Sequence, residues 1–178
     1  MKLIGLWSVS ARYLALLLIS LFCLPLIYAI FTPLTIYPVF QLSKLFYDLV
    51  FLFNSSLMIE GRTITLIPAC IAGSAYLLLL ILNLTTPLKP LQRAKSIAFL
   101  FISFLLLNIA RIFIFILLLI NNFAYFDIAH KITWYFSSIV LVILLWFANV
   151  YLFKINSIPF FTDAKSLLRQ AKRIKTLK

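Results

Sequence analysis

The run from Ser96 to Ile120 carries a single charged residue, Arg111, and is otherwise apolar except for Ser96, Ser103 and Asn108. A bilayer core takes about 20 apolar helical residues, so this run is long enough to cross it. Tyr13–Phe31, Leu66–Leu84 and Thr133–Phe153 read the same way. None alternates with a period of two, so helices rather than barrel strands must satisfy the backbone. Composition agrees: 65% of the residues are hydrophobic and 11% are charged, where a soluble domain has about half and a quarter. The expected fold is an all-α integral membrane protein, a bundle of about four transmembrane helices. The polytopic domain spans residues 1–153, and a basic cytoplasmic tail follows at 154–178.

The first run resembles a signal peptide, but its apolar core is too long and no small-x-small cleavage site follows. Phe22 before Cys23 argues against lipoprotein cleavage, and Cys23 reads as helix filler. Pro33 and Pro38 then stand as breaks. Beyond them Gln41, Lys44 and Asp48 fall on one helical face, with Lys44 and Asp48 as an i,i+4 pair. Phe40, Leu45, Phe46 and Leu49 dominate the rest. The pattern predicts an interfacial or re-entrant helix over residues 33–53 on the outer side. Residues 54–65, holding Glu60, Gly61 and Arg62, are expected to be a polar loop.

The net charge of +12 suggests a nucleic-acid partner until its placement is considered. The basic residues sit at the ends of apolar runs and in the tail, where membrane topology accounts for them. No nucleic-acid partner is expected, and the tail has no aromatic residue after Phe161 on which a base could stack. The loop around Arg93 and the tail hold ten basic residues and one acid, Asp163. The loops at 54–65 and 121–132 hold two basic residues and two acids. Basic loops stay on the cytoplasmic side, so both termini are expected inside and the other loops outside.

Against this background three residues stand out. Cys70 lies in Ile67-Pro68-Ala69-Cys70-Ile71-Ala72-Gly73-Ser74-Ala75-Tyr76, in the first helical turn after a proline. Free N–H groups and a helix dipole there would favour a thiolate, and the small residues leave room for another backbone or a substrate. The competing reading is a small apolar residue at a helix crossing. Arg111 is an intramembrane charge, nine positions before Ile120 and so about 13 Å below the outer end of its run. Such a residue is a functional candidate by default. Asn108, three positions earlier, shares its face, and the two could instead bond loose carbonyls in the bundle. His130 is the single histidine, and Asp127, three residues before it, could orient its ring unless Lys131 takes that carboxylate. With no CxxC, no HExxH and one histidine, no metal or cofactor is expected.

Topology places Cys70, Arg111 and His130 on the same side of the membrane. Together they allow acyl transfer: Cys70 attacks a carbonyl, His130 moves the proton, and Arg111 holds a developing oxyanion or a carboxylate. A Cys among small residues, an Asn-x-x-Arg in the next span and a His before the following one resemble the exosortase/archaeosortase family. The matching positions are Cys70 with Gly73, then Asn108-Ile109-Ala110-Arg111, then His130. The form around Cys70 is most similar to the compact archaeal branch. The resemblance implies a membrane cysteine transpeptidase with Cys70 as nucleophile, Arg111 as positioning residue and His130 as proton carrier. The implied partners are exported proteins with a C-terminal motif, a transmembrane helix and a basic cluster, and a membrane lipid acceptor. The chain is short, with fewer clear spans than many members. A cavity walled by Tyr76, Phe113, Phe115 and Trp134 would exclude water.

Other readings stay open. One is a non-catalytic assembly or scaffold subunit whose Asn108 and Arg111 pair with a partner helix. Another is an anion path lined by Arg111, and a third is an intramembrane protease that releases its product to water.

Overall fold

The computed structural model describes residues 3–48, 50–53 and 55–155. It contains four helices long and apolar enough to cross a membrane. The tail beyond Ile155 and Lys2 lie outside the described residues.

The first helix differs most from expectation. α1 runs without interruption from Leu3 to Phe46, with Pro25, Pro33 and Pro38 inside it. Phe22–Phe46 within it is long and apolar enough to cross a membrane, and residues 33–46 continue the helix rather than forming a separate interfacial one. A proline inside a helix removes one hydrogen bond and crowds the preceding turn. Among apolar surroundings, abandoning the helix would leave many more backbone groups unbonded, so the helix continues. Asp48 lies beyond the end of α1, and Lys44 sits over the Phe40 ring, 4.8 Å from its centroid.

The expected polar loop is an antiparallel meander of three short strands, β1 (Val50–Phe53), β2 (Ser56–Ile59) and β3 (Arg62–Thr65), in the order β1-β2-β3. Glu60 and Gly61 connect β2 to β3 with φ of 49° and 78°, the pair of positive φ values that a two-residue hairpin requires. Val50 faces Ile59, and Leu52 and Ile64 flank Leu57 across the sheet. Val50, Leu57 and Ile59 are buried, while Phe51, Phe53 and Met58 on the other face are exposed. The sheet therefore packs one apolar face on the bundle. Arg62 fastens it there: its guanidinium donates to the Leu119 carbonyl at 3.0 Å and to Asn122 Oδ1 at 2.7 Å.

After a single turn, α2 (Pro68–Ile71), come α3 (Gly73–Thr85), α4 (Pro90–Ile120), α5 (Phe126–Ile132), a π-helical turn (Thr133–Ser137) and α6 (Ser138–Leu152). α1, α3 and α4 pack against one another, and α6 packs on α3 and α4. At the centre Tyr76 stacks on Phe31 (3.9 Å between ring centroids) and takes the edges of Phe101 and Phe104. A Cβ added at Gly73 would lie 2.6 Å from the Tyr28 ring, so this glycine lets α1 and α3 approach. The outward faces carry Phe22, Leu26, Leu106, Ile143 and Phe147, all exposed, as helices surrounded by lipid require.

Candidate functional site

Cys70 owes its position to two backbone devices. Ile67 is extended (φ −78°, ψ 162°), and Pro68 opens α2 at the position where its missing N–H costs nothing. Four residues later Ala72 adopts a left-handed conformation (φ 58°, ψ 42°), which separates α2 from α3. Such a conformation costs an L-residue about 1–2 kcal/mol, so its surroundings must hold it. The break also corrects one expectation: behind Cys70 stands one helical turn, not the dipole of a long helix. Its own N–H donates to the Ile67 carbonyl at 2.8 Å.

The same break diverts the helical donor of the Ile71 carbonyl, because the Ala75 N–H donates to Ala72 instead. Side chains of α4 bond this carbonyl and that of Cys70. Asn108 Nδ2 donates to the Cys70 carbonyl at 3.0 Å and to that of Ile71 at 3.4 Å. Arg111 Nη2 donates to the Cys70 carbonyl at 3.3 Å, and its Nη1 donates to Ser138 Oγ on α6 at 2.9 Å. Spaced i,i+3, both side chains leave the same face of α4. Asn108 is fully buried and its Oδ1 has no hydrogen-bond partner.

Cys70, Arg111 and His130 line one cavity of about 350 Å³. Cys70 and Ala69 come from α2, Arg111, Ile112 and Phe115 from α4, His130 from α5, and Thr63, Ile64 and Thr65 from β3. No hydrogen bond joins Cys70 to His130 among the described residues, so the thiol and imidazole share the cavity from separate walls. The His130 ring lies parallel to that of Phe126 (5.6 Å, 7°) and edge-on to Phe115 (5.4 Å, 77°). These rings orient it. Asp127 is exposed and makes no bond to His130 among the described residues.

Of the aromatic walls expected, Phe115 lines the cavity, whereas Tyr76 belongs to the core and Phe113 packs on Phe46 (5.3 Å). The side chain of Trp134 lies outside the described residues. The room expected beside Gly73 is filled by Tyr28. Sequence reasoning passed over Ser138 and the wall made by β3. A serine pair, Ser137-Ser138, inside an apolar run was the available signal for the first, and Glu60-Gly61 between short apolar stretches for the second.

Compared with protein-family models, curated proteins and solved structures, the chain matches none.

Proposed function

We propose that this chain is a membrane-embedded cysteine peptidase of the transpeptidase kind, with Cys70, Arg111 and His130 as its catalytic residues. One observation supports the reading above others: three residues singled out separately in the sequence, on three different helices, line the same cavity. In this reading the chain crosses the membrane four times with both termini in the cytoplasm, and the cavity opens toward the outer side.

The chemistry runs as acyl transfer. The Cys70 sulfur attacks a peptide carbonyl as its proton passes to the His130 imidazole. Arg111 uses two of its five N–H donors on Ser138 and the Cys70 carbonyl, and those remaining can stabilise the oxyanion. Collapse breaks the C–N bond, the imidazolium protonates the departing amine, and the acyl group stays on sulfur as a thioester. An acceptor hydroxyl or amine then attacks, loses its proton to His130 and restores the thiol. The substrates are exported proteins carrying a C-terminal motif, a transmembrane helix and a basic cluster, and the acceptor is a membrane lipid. Apolar cavity walls favour such an acceptor over water.

The test is co-expression with a tripartite-signal protein from the same genome, with wild-type or Cys70→Ala enzyme at matched levels, reading the substrate's C-terminal mass. Loss of the C-terminal helix with wild type alone supports the reading, and the added mass separates lipid transfer from hydrolysis. An intact cognate substrate with both enzymes overturns it.

A second reading has its own support. Asn108 and Arg111 bond backbone carbonyls just before the break at Ala72, which is also what a purely structural pair in a scaffold subunit would do. That reading requires Cys70→Ala to be silent while Arg111 variants lose protein.

A further inference from the structure

One wall of the cavity is formed by β3. β3 is the end strand of the meander, with β2 on one side and, among the described residues, no strand on the other. The Leu66 N–H donates to the Ser55 carbonyl at 2.9 Å, so that pair is hydrogen-bonded. Bonded pairs alternate with non-bonded ones in an antiparallel ladder. With Ile64 opposite Leu57 and Arg62 opposite Ile59, those two pairs carry the remaining bonds between β2 and β3. Thr63 and Thr65, opposite Met58 and Ser56, therefore turn both their N–H and C=O groups to the free edge. Both residues line the cavity that holds Cys70.

We propose that the free edge of β3 is the substrate-docking element: the peptide to be cut enters the cavity extended, adds to β3 as a fourth strand, and is thereby delivered to Cys70. The inference rests on the reading of Cys70 as the attacking group and says how its substrate is held.

Three features select an extended peptide as the occupant. The edge offers two donor–acceptor pairs spaced by two residues, about 6.8 Å, which only another extended backbone matches in register. A helix has already used its backbone groups, and a lipid chain has none. The facing wall is apolar, with Ile112, Phe115 and Leu119, and can receive the alternate side chains of a strand. Finally, β3 leads through Leu66 and Ile67 directly into the turn carrying Cys70, so a strand paired with β3 has its carbonyls carried toward the sulfur. Arg62 clamps the sheet to Leu119 and Asn122 and so holds this edge steady against α4.

The test reads docking without cleavage, so it stands or falls separately from the proposed reaction. In a Cys23→Ala background Cys70 is the sole thiol. The probes are acetylated hexapeptides of alternating threonine and valine, ending in a cysteine activated as its 2-thiopyridyl disulfide, and the rate at which they label Cys70 is followed by intact mass. One probe is N-methylated on one alternate set of amides, a second on the other set, and a small methanethiosulfonate serves as reference. The expected result is a period-two pattern: one methylated set labels about ten-fold more slowly, the loss expected from one or two hydrogen bonds, and the other set is unaffected. Thr63→Pro, which removes an edge N–H that β2 does not use, should slow peptide labelling by a similar factor and leave the small reagent's rate unchanged. Equal effects of the two methylated sets, or none, overturn the proposal even if Thr63→Pro fails to fold. So does a Cys70 that the small reagent reaches and the peptides do not, or one that neither reaches.

Discussion

α4 passes through two polar clusters about 22 Å apart, taken at 1.5 Å per residue from Ser96 to Arg111. At one end Asn83, Ser96 and Asn149 tie α3, α4 and α6 together: Asn83 Nδ2 donates to Ser96 Oγ, which donates to Asn149 Oδ1 at 2.7 Å. All three are fully buried and neutral. At the other end Asn108, Arg111 and Ser138 connect α2, α4 and α6, with a charge, a partly exposed cysteine and a cavity beside them. Cross-linking these helices is thus achieved once with uncharged residues alone. An arginine is costly in a bilayer, and at the second cluster it adds what the bonded residues of the first do without, a cation beside a thiol. The contrast favours a chemical role for the second cluster over bundle assembly alone.

That contrast can be broken most sharply at Cys70. Cys70→Ala should abolish substrate processing and leave the melting temperature in detergent unchanged, because a small side chain at the cavity wall is replaced by a smaller one. Arg111→Met should follow, with a loss of about 100- to 1,000-fold in rate, the effect of deleting one oxyanion donor. Its stability should fall less than that of Asn108→Leu, since Asn108 continues to serve the Cys70 carbonyl.

Asn108→Leu separates scaffold from chemistry. It leaves the Ile71 carbonyl without a side-chain donor and the Cys70 carbonyl with Arg111 alone, which should destabilise the fold by about 1–3 kcal/mol, measured by thermal unfolding in lipid nanodiscs. The smallest functional effect is expected at the other cluster. Ser96→Ala removes the link between Asn83 and Asn149 and should cost about 1–3 kcal/mol of stability, with the processing rate per folded molecule unchanged. A rate loss there matching that of Arg111→Met would erase the distinction between the two regions.

The helices over residues 73–85, 90–120 and 138–152 were legible because long apolar runs in lipid have one backbone solution. α1 was misread at Pro33 and Pro38 because a proline that ends a helix in water is outweighed in an apolar environment by the bonds that breaking would lose. The strands were missed because each is four residues long, too short for a period of two to stand out among polar neighbours. Cys70, Arg111 and His130 were found as chemically unusual residues, and topology alone grouped them. The bonds that hold Arg111 were not legible. One goes to Ser138 on another helix and one to the Cys70 carbonyl, just before the left-handed Ala72, and alanine has no preference for that conformation from which it could be read.

The central claim is that Cys70 carries the acyl group. It is tested most directly by the intact mass of the enzyme during turnover of a tripartite-signal substrate in nanodiscs. The account predicts a mass increment on Cys70, equal to the cleaved acyl fragment and released by hydroxylamine, that is absent from Cys70→Ala. Substrate cut at the wild-type rate by Cys70→Ala, with no such adduct on the wild type, would contradict it.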